Sequence, residues 1–503
     1  MSLRQNILAN YVSQIYVTLI GIVMVPVYLR YMGPEAYGLV GFFAMIQAWF
    51  QLLDLGLTPT MARETARFNG GALDASSLRH LLRGMEGVFI GVAVLASAAM
   101  MTASGTIATD WLKVQQLPLA EVQTAIVLMA AIVALRWVSG LYRSAINGFE
   151  RMVWLGGFNM ALATARFVLV IPLFMYVGTS ATLFFTYQLL LAVLEVVLLV
   201  RQTYRLLPTL SAGDHRPWRY APLRGVLKFS LSIAFASFVW ILATQADKLI
   251  LSKLLPLTEY GYYTLVVLMA GGVLVISGPV SGALLPRLTK LASEGDNAAL
   301  LQLYRSATQL VAVMAVPAAL VLALFSKQVL WAWTGDTVVV EKAAPVLALY
   351  AGGSAISVIA AFPYYLQYAM GDLRLHLIGN VLFVMLLIPC LVVATWQFGM
   401  VGAAWIWLVL NLVYFLLWVP VVHRRFAPGV HWRWMTRDVM LTSVPSIVAA
   451  LLVQYTVLWP AGRLAITIQL CGLGLLLLCI SSLSSSKIRE RVAHRFNYME
   501  SSN

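Results

Sequence analysis

Charged residues are scarce in this chain: Asp, Glu, Lys and Arg make up only 11% of its 503 residues, against 61% hydrophobic residues. A soluble protein of this size carries many more charges on its surface. The mean hydropathy is correspondingly high, at +0.84. This composition excludes a soluble globular protein and indicates a chain embedded in a lipid bilayer.

Cysteine is also rare, and its three occurrences, Cys390, Cys471 and Cys479, all fall within apolar segments. The sequence therefore predicts neither a disulfide framework nor a metal site. It lacks the Walker A, Gly-rich dinucleotide, His-Glu-x-x-His and Gly-x-Ser-x-Gly motifs. We predict that the protein is not an enzyme and uses no cofactor.

Apolar runs of membrane-spanning length recur along the whole chain. A bilayer core of about 30 Å needs ~20 apolar residues per helix, and about fourteen segments meet that length. They lie at roughly 7–29, 38–58, 85–107, 121–143, 157–177, 181–201, 228–251, 261–283, 306–330, 344–366, 375–396, 400–422, 439–458 and 463–483. The pattern predicts an all-α, polytopic membrane protein whose gaps leave no room for a soluble catalytic domain.

Basic residues are concentrated in alternate gaps between these segments. With the N-terminus placed in the cytoplasm, 25 of the 34 Lys and Arg residues lie on the inner side. Six lie on the outer side (Arg30, Lys113, Lys253, Lys327, Lys342, Arg463) and three within segments (Arg136, Arg166, Lys248). Because basic loops resist translocation, we predict that both termini are cytoplasmic. The net charge of +14 then reflects orientation and contact with anionic lipids, so no nucleic-acid partner is predicted.

A weak internal repeat divides the first twelve segments into two groups of six. Tyr37-Gly38 after the first segment matches Tyr260-Gly261 after the seventh, at an offset of 223. Arg63-Glu64-Thr65 matches Arg287-Leu288-Thr289 at an offset of 224. Parallel repeats are common in transporters. We predict two six-helix lobes in pseudo-two-fold arrangement at 1–201 and 228–422, a cytoplasmic linker at 202–227, two additional helices within 439–483 and a basic cytoplasmic tail at 484–503.

Several short motifs lie near the ends of the first, second, seventh and eighth segments. They are Asn6, Asn10 and Gln14 in the N-terminal stretch, then Pro26–Leu29, Gly33–Gly38 and Leu53–Leu57, and in the second half Asp247–Leu251 and Glu259–Tyr263. In this order they resemble bacterial polysaccharide repeat-unit flippases of the O-antigen type, within the multidrug/oligosaccharidyl-lipid/polysaccharide exporter superfamily. The motif likeness is concentrated in residues 1–70 and 225–290, and the helix layout covers the whole chain.

The resemblance implies translocation of undecaprenyl-diphosphate-linked oligosaccharides from the cytoplasmic to the periplasmic leaflet of the bacterial inner membrane, by alternating access. It implies lipid-linked oligosaccharide and membrane lipids as partners, with a polysaccharide polymerase and a chain-length regulator as further partners in lipopolysaccharide assembly. Three alternatives stay open: a drug or cation antiporter of the same superfamily, a lipid II flippase, and a membrane polymerase or glycosyltransferase. Glu35, in the first outer gap, is the one hint of an enzyme.

Ionisable residues inside spans are costly and mark candidate functional sites. Arg166, at the middle of the fifth segment, is the first candidate for a substrate phosphate; a buried pair with Glu195 is the alternative. Arg136 is predicted to line an inner vestibule or to reach inner headgroups. Lys248 is predicted to face the transport path, to pair locally with Asp247 or to reach the outer headgroups.

Polar side chains at helical spacing are expected to face a cavity or another helix. The second segment carries Gln47, Gln51 and Asp54 on one face, and the remaining candidates lie in the first, fifth and seventh segments. The predicted substrate-binding residues are Arg166, Arg136, Lys248, Asn10, Gln14, Gln47, Gln51, Asn159 and Gln245. The predicted coupling-ion candidates are the carboxylates Asp54, Asp247 and Glu195, since transporters use buried carboxylates for coupling.

Overall fold

The computed structural model describes residues 3–207 and 221–486. The middle of the predicted linker (202–227) and most of the predicted tail (484–503) lie outside the described residues. Helices account for the described architecture, and no strand occurs within these two ranges. This confirms the predicted all-α fold. It also follows from the solvent, because a helix satisfies its backbone hydrogen bonds internally in lipid.

The chain divides into two compact units, with the boundary between Gly261 and Tyr262. The helices of the first unit are α1 (Leu3–Phe50), α2 (Leu57–Asn69), α3 (Ala75–Thr102), α4 (Ser104–Thr106), α5 (Leu119–Gly148), α6 (Met152–Phe167), α7 (Val170–Tyr176), α8 (Ala181–Leu206) and α9 (Ala221–Leu254). A 3₁₀ turn (Gln51–Asp54) separates α1 from α2, and a π-helical turn (Ile107–Trp111) follows α4. The predicted lobe boundaries remain a prediction, since α9 clusters with the first unit.

The boundary between the units falls inside α10 (Leu257–Val275). The second unit continues with α11 (Gly278–Ser293), α12 (Asn297–Leu324), α13 (Ser326–Thr334), α14 (Thr337–Ala360), α15 (Phe362–Ala369), α16 (Arg374–Val413), α17 (Val419–Phe426), α18 (His431–Arg433), α19 (Leu441–Thr456) and α20 (Arg463–Ser484). π-Helical turns lie at Tyr414–Trp418 and Trp434–Met440.

Eleven helical ranges among the described residues are long and apolar enough to cross a membrane. Two of them, Leu8–Asp54 with 47 residues and Arg374–Phe426 with 53, are long enough for two crossings each. Both contain a glycine with non-helical torsion angles, Gly33 (φ 82°) and Gly399 (φ 59°). A left-handed residue reverses or bends a helix there, because glycine has no Cβ to oppose positive φ. The multi-pass architecture is confirmed, whereas the count of fourteen stays a prediction.

Several helices begin at a side-chain cap that is visible in the sequence. Asp74, Ser180, Asp296 and Asp336 precede α3, α8, α12 and α14, and each accepts a hydrogen bond from a backbone N–H of the first turn. The distances are 2.9, 3.2, 2.9 and 2.8 Å in that order. Because a capping oxygen satisfies an otherwise unpaired donor, these residues set where each helix starts.

In the first unit, α5 is buried along most of its length and packs against α2, α3 and α8. Its apolar core includes Leu81, Met85, Phe89 and Leu141. Gly148 permits a close approach of α5 to α2, because an added Cβ would lie 2.5 Å from the carbonyl oxygen of Ala62. Helix α5 is therefore the central helix of this unit, and its packing positions the polar residues that it shares with its neighbours.

Candidate functional site

Three neighbouring helices of the first unit each present two polar residues seven positions apart. Helix α5 carries Arg136 and Arg143, α6 carries Asn159 and Arg166, and α8 carries Gln188 and Glu195. A spacing of seven is two helical turns, so both members of each pair share one face. The structure brings all six side chains together, and we call them, with Gln47 of α1, the arginine cluster.

Glu195 is the hub of the arginine cluster. Its side chain is only 3% exposed, and one carboxylate oxygen accepts hydrogen bonds from Arg143 Nε at 3.2 Å and Nη2 at 2.5 Å. The other oxygen pairs with Arg166 Nη2. Arg143 Nη1 also donates to Asn159 Oδ1. The predicted alternative for Arg166, a buried pair with Glu195, is therefore present, and Arg143 shares the same carboxylate.

Arg136 is held one layer away from Glu195. Its Nη2 donates to Gln188 Oε1 at 2.8 Å and its Nη1 to Gln47 Oε1 at 3.4 Å. The guanidinium also lies over the ring of Phe43, 5.1 Å from its centroid, which is within the range of a cation–π contact. Arg136 therefore lies within the protein among neutral partners, rather than reaching for headgroups.

A break in the helix immediately after Arg166 positions this residue. Helix α6 ends at Phe167, and α7 contains Pro172, which has no N–H and disrupts the preceding turn. The carbonyl of Arg166 then accepts a hydrogen bond from Gln188 Nε2 at 3.2 Å, and Tyr28 Oη lies 3.3 Å from the carbonyl of Phe167. Gln188 thus joins Arg136 to the backbone of Arg166.

The cluster carries an excess of positive charge. Three guanidinium groups face one carboxylate, which leaves two positive charges among these residues. Arg143 and Arg166 are 26% and 18% exposed, so both retain an accessible edge. The Nε atoms of Arg136 and Arg166 are buried and lack a hydrogen-bond partner in the described part of the chain. Planar guanidinium donors match phosphate and carboxylate oxygens, so this arrangement is suited to an anion.

The predicted polar stripes of α1 contribute one member to the cluster. Gln47 contacts Arg136, whereas the side chains of Asn10, Gln14 and Gln51 are exposed. Gln245 of α9 is half-buried. Their predicted role as substrate contacts stays a prediction.

Two other predicted groups have local partners. Lys248 Nζ donates to the carbonyl of Thr244 at 2.9 Å and lies 3.8 Å from Asp247, which is the local pairing expected as the alternative. Asp54 caps α2: its carboxylate accepts a hydrogen bond from the N–H of Thr58 at 3.1 Å and also bonds the Thr58 hydroxyl. These contacts give Asp54 a structural role, and its predicted coupling role stays a prediction.

Arg143 and Gln188 are cluster members that were not among the predicted site residues. The spacing held the missing signal. Arg143 lies seven residues after Arg136, and Gln188 seven residues before Glu195, so each shares a face with a candidate. What the sequence could not supply is which faces of α5, α6 and α8 meet.

Glu35, the one hint of an enzymatic centre, anchors a loop. Its side chain is buried, with 2% exposure, and accepts hydrogen bonds from the backbone N–H groups of Gln115, Gln116 and Leu117 at 2.5, 2.7 and 3.0 Å. A carboxylate that accepts hydrogen bonds from three backbone amides is engaged in holding the loop. The structure thus gives Glu35 a positioning role.

Comparisons with known proteins are consistent in fold. Residues 3–292 match the family described as "Polysaccharide biosynthesis protein". No curated protein sequence matches the chain. Among solved structures, the lipid II flippase MurJ in an inward closed conformation has a TM-score of 0.69 at 11% identity, over 94% of this chain and 97% of that one.

Two further solved structures extend this comparison. An inward-facing multidrug resistance MATE transporter of the MOP superfamily has a TM-score of 0.67 at 16% identity, over 82% of this chain and 96% of that one. A MOP superfamily transporter from Pyrococcus furiosus has a TM-score of 0.55 at 14% identity, covering 84% and 95%. At these identities the likeness concerns the fold alone, and it confirms the polytopic architecture that the sequence predicted.

Proposed function

Because this chain belongs to the polysaccharide biosynthesis protein family, we propose that it is a flippase for lipid-linked oligosaccharides, and that the arginine cluster binds the diphosphate of its substrate. The observation that carries the proposal is a cluster of three arginines and one glutamate inside an apolar helical unit. The specific cargo proposed is an undecaprenyl-diphosphate-linked repeat unit of the O-antigen type.

Charge balance supports a diphosphate as the ligand. A diphosphate esterified at both ends carries one negative charge on each phosphate, and the cluster has two positive charges in excess. Neutralisation matters most in a low-dielectric setting, where uncompensated charge is expensive. A monovalent or neutral ligand would leave the cluster charged, and a cation would be repelled.

The chemistry of the transport step demands such a site. The polyprenyl tail stays in hydrocarbon throughout, whereas the diphosphate and sugars cannot cross it without compensating contacts. Arg143 and Arg166 keep accessible edges for the phosphate oxygens. Glu195 holds both guanidinium groups in place, and Asn159 also holds that of Arg143, which lowers the entropy lost on binding.

The arginine cluster also bears on the alternatives. A drug or cation antiporter needs carboxylates facing its cargo, but here Glu195 is already engaged by two arginines. A lipid II flippase would use the same diphosphate chemistry, so it remains the second candidate. The bacterial inner membrane, cytoplasmic termini, and association with a polymerase and a chain-length regulator belong to this proposal as well.

The direct test follows labelled lipid-linked oligosaccharides in cells that lack this protein, with a glycan-modifying enzyme added from outside to report the leaflet. We expect complete units to accumulate on the inner leaflet and wild-type protein to restore outward passage. Arg143→Ala and Arg166→Ala should each lower passage at least tenfold, because one bidentate phosphate contact is worth ~1.5–3 kcal/mol. Arg166→Lys should retain part of the activity, since it keeps the charge and loses the planar donors.

Arg433→Ala is the matched control, because Arg433 is exposed and outside the cluster. It should pass substrate at the wild-type rate when expressed at the same level. Unchanged passage in stably expressed Arg143→Ala and Arg166→Ala variants would reject the diphosphate site. Normal passage without the protein would reject the flippase. Units that reach the outside but stay unpolymerised would favour an enzyme.

A further inference from the structure

The repeated Tyr-Gly motifs meet each other within the first unit. A Cβ added at Gly38 would lie 2.4 Å from the carbonyl oxygen of Leu257, and one added at Gly261 would lie 2.5 Å from the carbonyl oxygen of Pro34. The added Cβ at Gly261 would also lie 3.2 Å from the backbone nitrogen of Gly38. Any side chain at either position would force the two backbones apart.

This contact is reciprocal in sequence as well as in space. Gly38 and Gly261 are 223 residues apart, and so are Pro34 and Leu257, whose carbonyls face them. Each repeat therefore offers one glycine and one carbonyl to the other, as expected at a two-fold pseudo-symmetry axis. Close backbone approach at glycines is a common way for helices to adhere in lipid, since packing and weak Cα–H···O contacts replace the hydrophobic effect there.

A second element ties the same two segments together. Residues 111–117, which we call the strap, link the helical turn after α4 to the start of α5. The strap gives three N–H groups to Glu35, next to Pro34, and its Lys113 carbonyl accepts the N–H of Leu257 at 3.0 Å. Lys113 Nζ also donates to the carbonyl of Leu254 at 2.8 Å.

The strap makes two more contacts with the end of α9. Trp111 Nε1 donates to Ser252 Oγ at 3.0 Å, and Lys253 lies over the Trp111 ring, 4.9 Å from its centroid. Seven contacts therefore lie near the point where the two Tyr-Gly motifs touch: three to the Glu35 carboxylate, one backbone pair, one from Lys113 Nζ and two at the Trp111 indole. Parting the two motifs therefore requires the strap to release either Glu35 or residues 252–257.

We propose that Gly38 and Gly261, together with the strap, form a clasp that closes the predicted outer end of the transport path and must part when the path opens outward. This rests on the proposed function only in naming transport as the purpose. The clasp itself is a two-state contact, and a methyl group at either glycine shifts the balance towards its open state.

The test measures conformation. The three native cysteines are removed, and a single cysteine is introduced at Ala44, which is exposed and lies one turn from Gln47 on α1. This cysteine is labelled from outside with a membrane-impermeant maleimide. We expect Gly38→Ala and Gly261→Ala each to raise the labelling rate at least fivefold. The double variant should rise little further, because one methyl already opens the shared contact. Gly272→Ala is the control: it lies in the same helix as Gly261, with no atom within 4 Å of an added Cβ.

A cross-link tests the clasp without either glycine being changed. Lys113 and Pro256 are paired across an isolated β-bridge, so cysteines at these positions lie within disulfide range. Oxidation should suppress labelling at Ala44→Cys and stop outward passage, and reduction should restore both. Equal labelling in the glycine variants and the Gly272→Ala control, or labelling unaffected by the disulfide, would overturn the clasp. Labelling that responds as expected while no oligosaccharide is flipped would leave the clasp standing and reject the proposed function.

Discussion

Replacing Glu195 with glutamine is the most informative single change, because it removes the one negative charge of the arginine cluster with almost no change of shape. At 4 Å and an effective dielectric constant of about 20, one ion pair is worth about 4 kcal/mol. Arg143 and Arg166 keep exposed edges, so we discount this to about 1–2 kcal/mol per pair. Glu195→Gln should therefore lower the stability of the protein by about 2–4 kcal/mol.

The same change should strengthen anion binding. The excess charge of the cluster rises from two to three, and one more charge about 8 Å from a bound anion contributes about 2 kcal/mol before salt screening. At physiological ionic strength the Debye length is about 8 Å, which reduces the gain to about 1 kcal/mol. We expect pyrophosphate to bind Glu195→Gln about fivefold more tightly than the wild type.

Thermal unfolding of the purified protein in detergent, followed by tryptophan fluorescence, measures both effects. Without pyrophosphate, Glu195→Gln should unfold at a lower temperature than the wild type. With pyrophosphate its unfolding temperature should rise by more, since a ligand that binds only the folded state stabilises it. Glu86→Gln is the control, because Glu86 accepts its hydrogen bonds from Tyr204 and not from the cluster. Wild-type stability together with a wild-type pyrophosphate response would refute the reasoning.

Two further predictions concern packing and ion pairs elsewhere in the protein. Gly148→Ala should destabilise the first unit by about 1–3 kcal/mol, since its Cβ would lie 2.5 Å from a backbone oxygen, whereas Gly140→Ala, with no atom within 4 Å, should be neutral or slightly stabilising. Asp438→Ala should cost about 3–5 kcal/mol because it strands Arg305, which bonds this fully buried carboxylate at 2.6 Å. Arg425→Ala breaks an exposed pair and should cost under about 1 kcal/mol. Denaturation of the purified variants checks both contrasts, and equal losses within either pair would contradict them.

The clearest successes of sequence reasoning concern elements that the bilayer dictates. Long apolar runs predict helices because lipid offers the backbone no hydrogen-bond partner. The glycine at 33 and the caps at Asp74 and Asp336 act through their own torsion angles or nearest neighbours, but their effects were not among the predictions. The count of crossings stays a prediction, although the gaps that the sequence places at 30–37 and 397–399 contain the bends of α1 at Gly33 and of α16 at Gly399.

Prediction was weaker where the arrangement depends on contacts between distant helices. Arg166 and Arg136 were identified because an arginine in a span is unusual, whereas Arg143, at the end of its segment, was not among the predicted site residues. Glu35 was interpreted as a hint of catalysis, although it holds the strap through three backbone N–H groups. Lys248, like Arg166, is a basic residue within an apolar segment, but its contacts are with its helical neighbours Thr244 and Asp247.

The sequence by itself determined that this protein lies in a lipid bilayer, that it is helical, and which ionisable residues fall within its apolar segments. Those properties follow from composition and local chemistry, which do not depend on how helices meet. Only the tertiary structure decided that Arg143 and Arg166 share Glu195. It also decided that Gly38 and Gly261, 223 residues apart, each lie against a backbone carbonyl of the other repeat. Pairings of this kind depend on which helix faces come together, and that is fixed by the packing of many side chains at once rather than by any one segment.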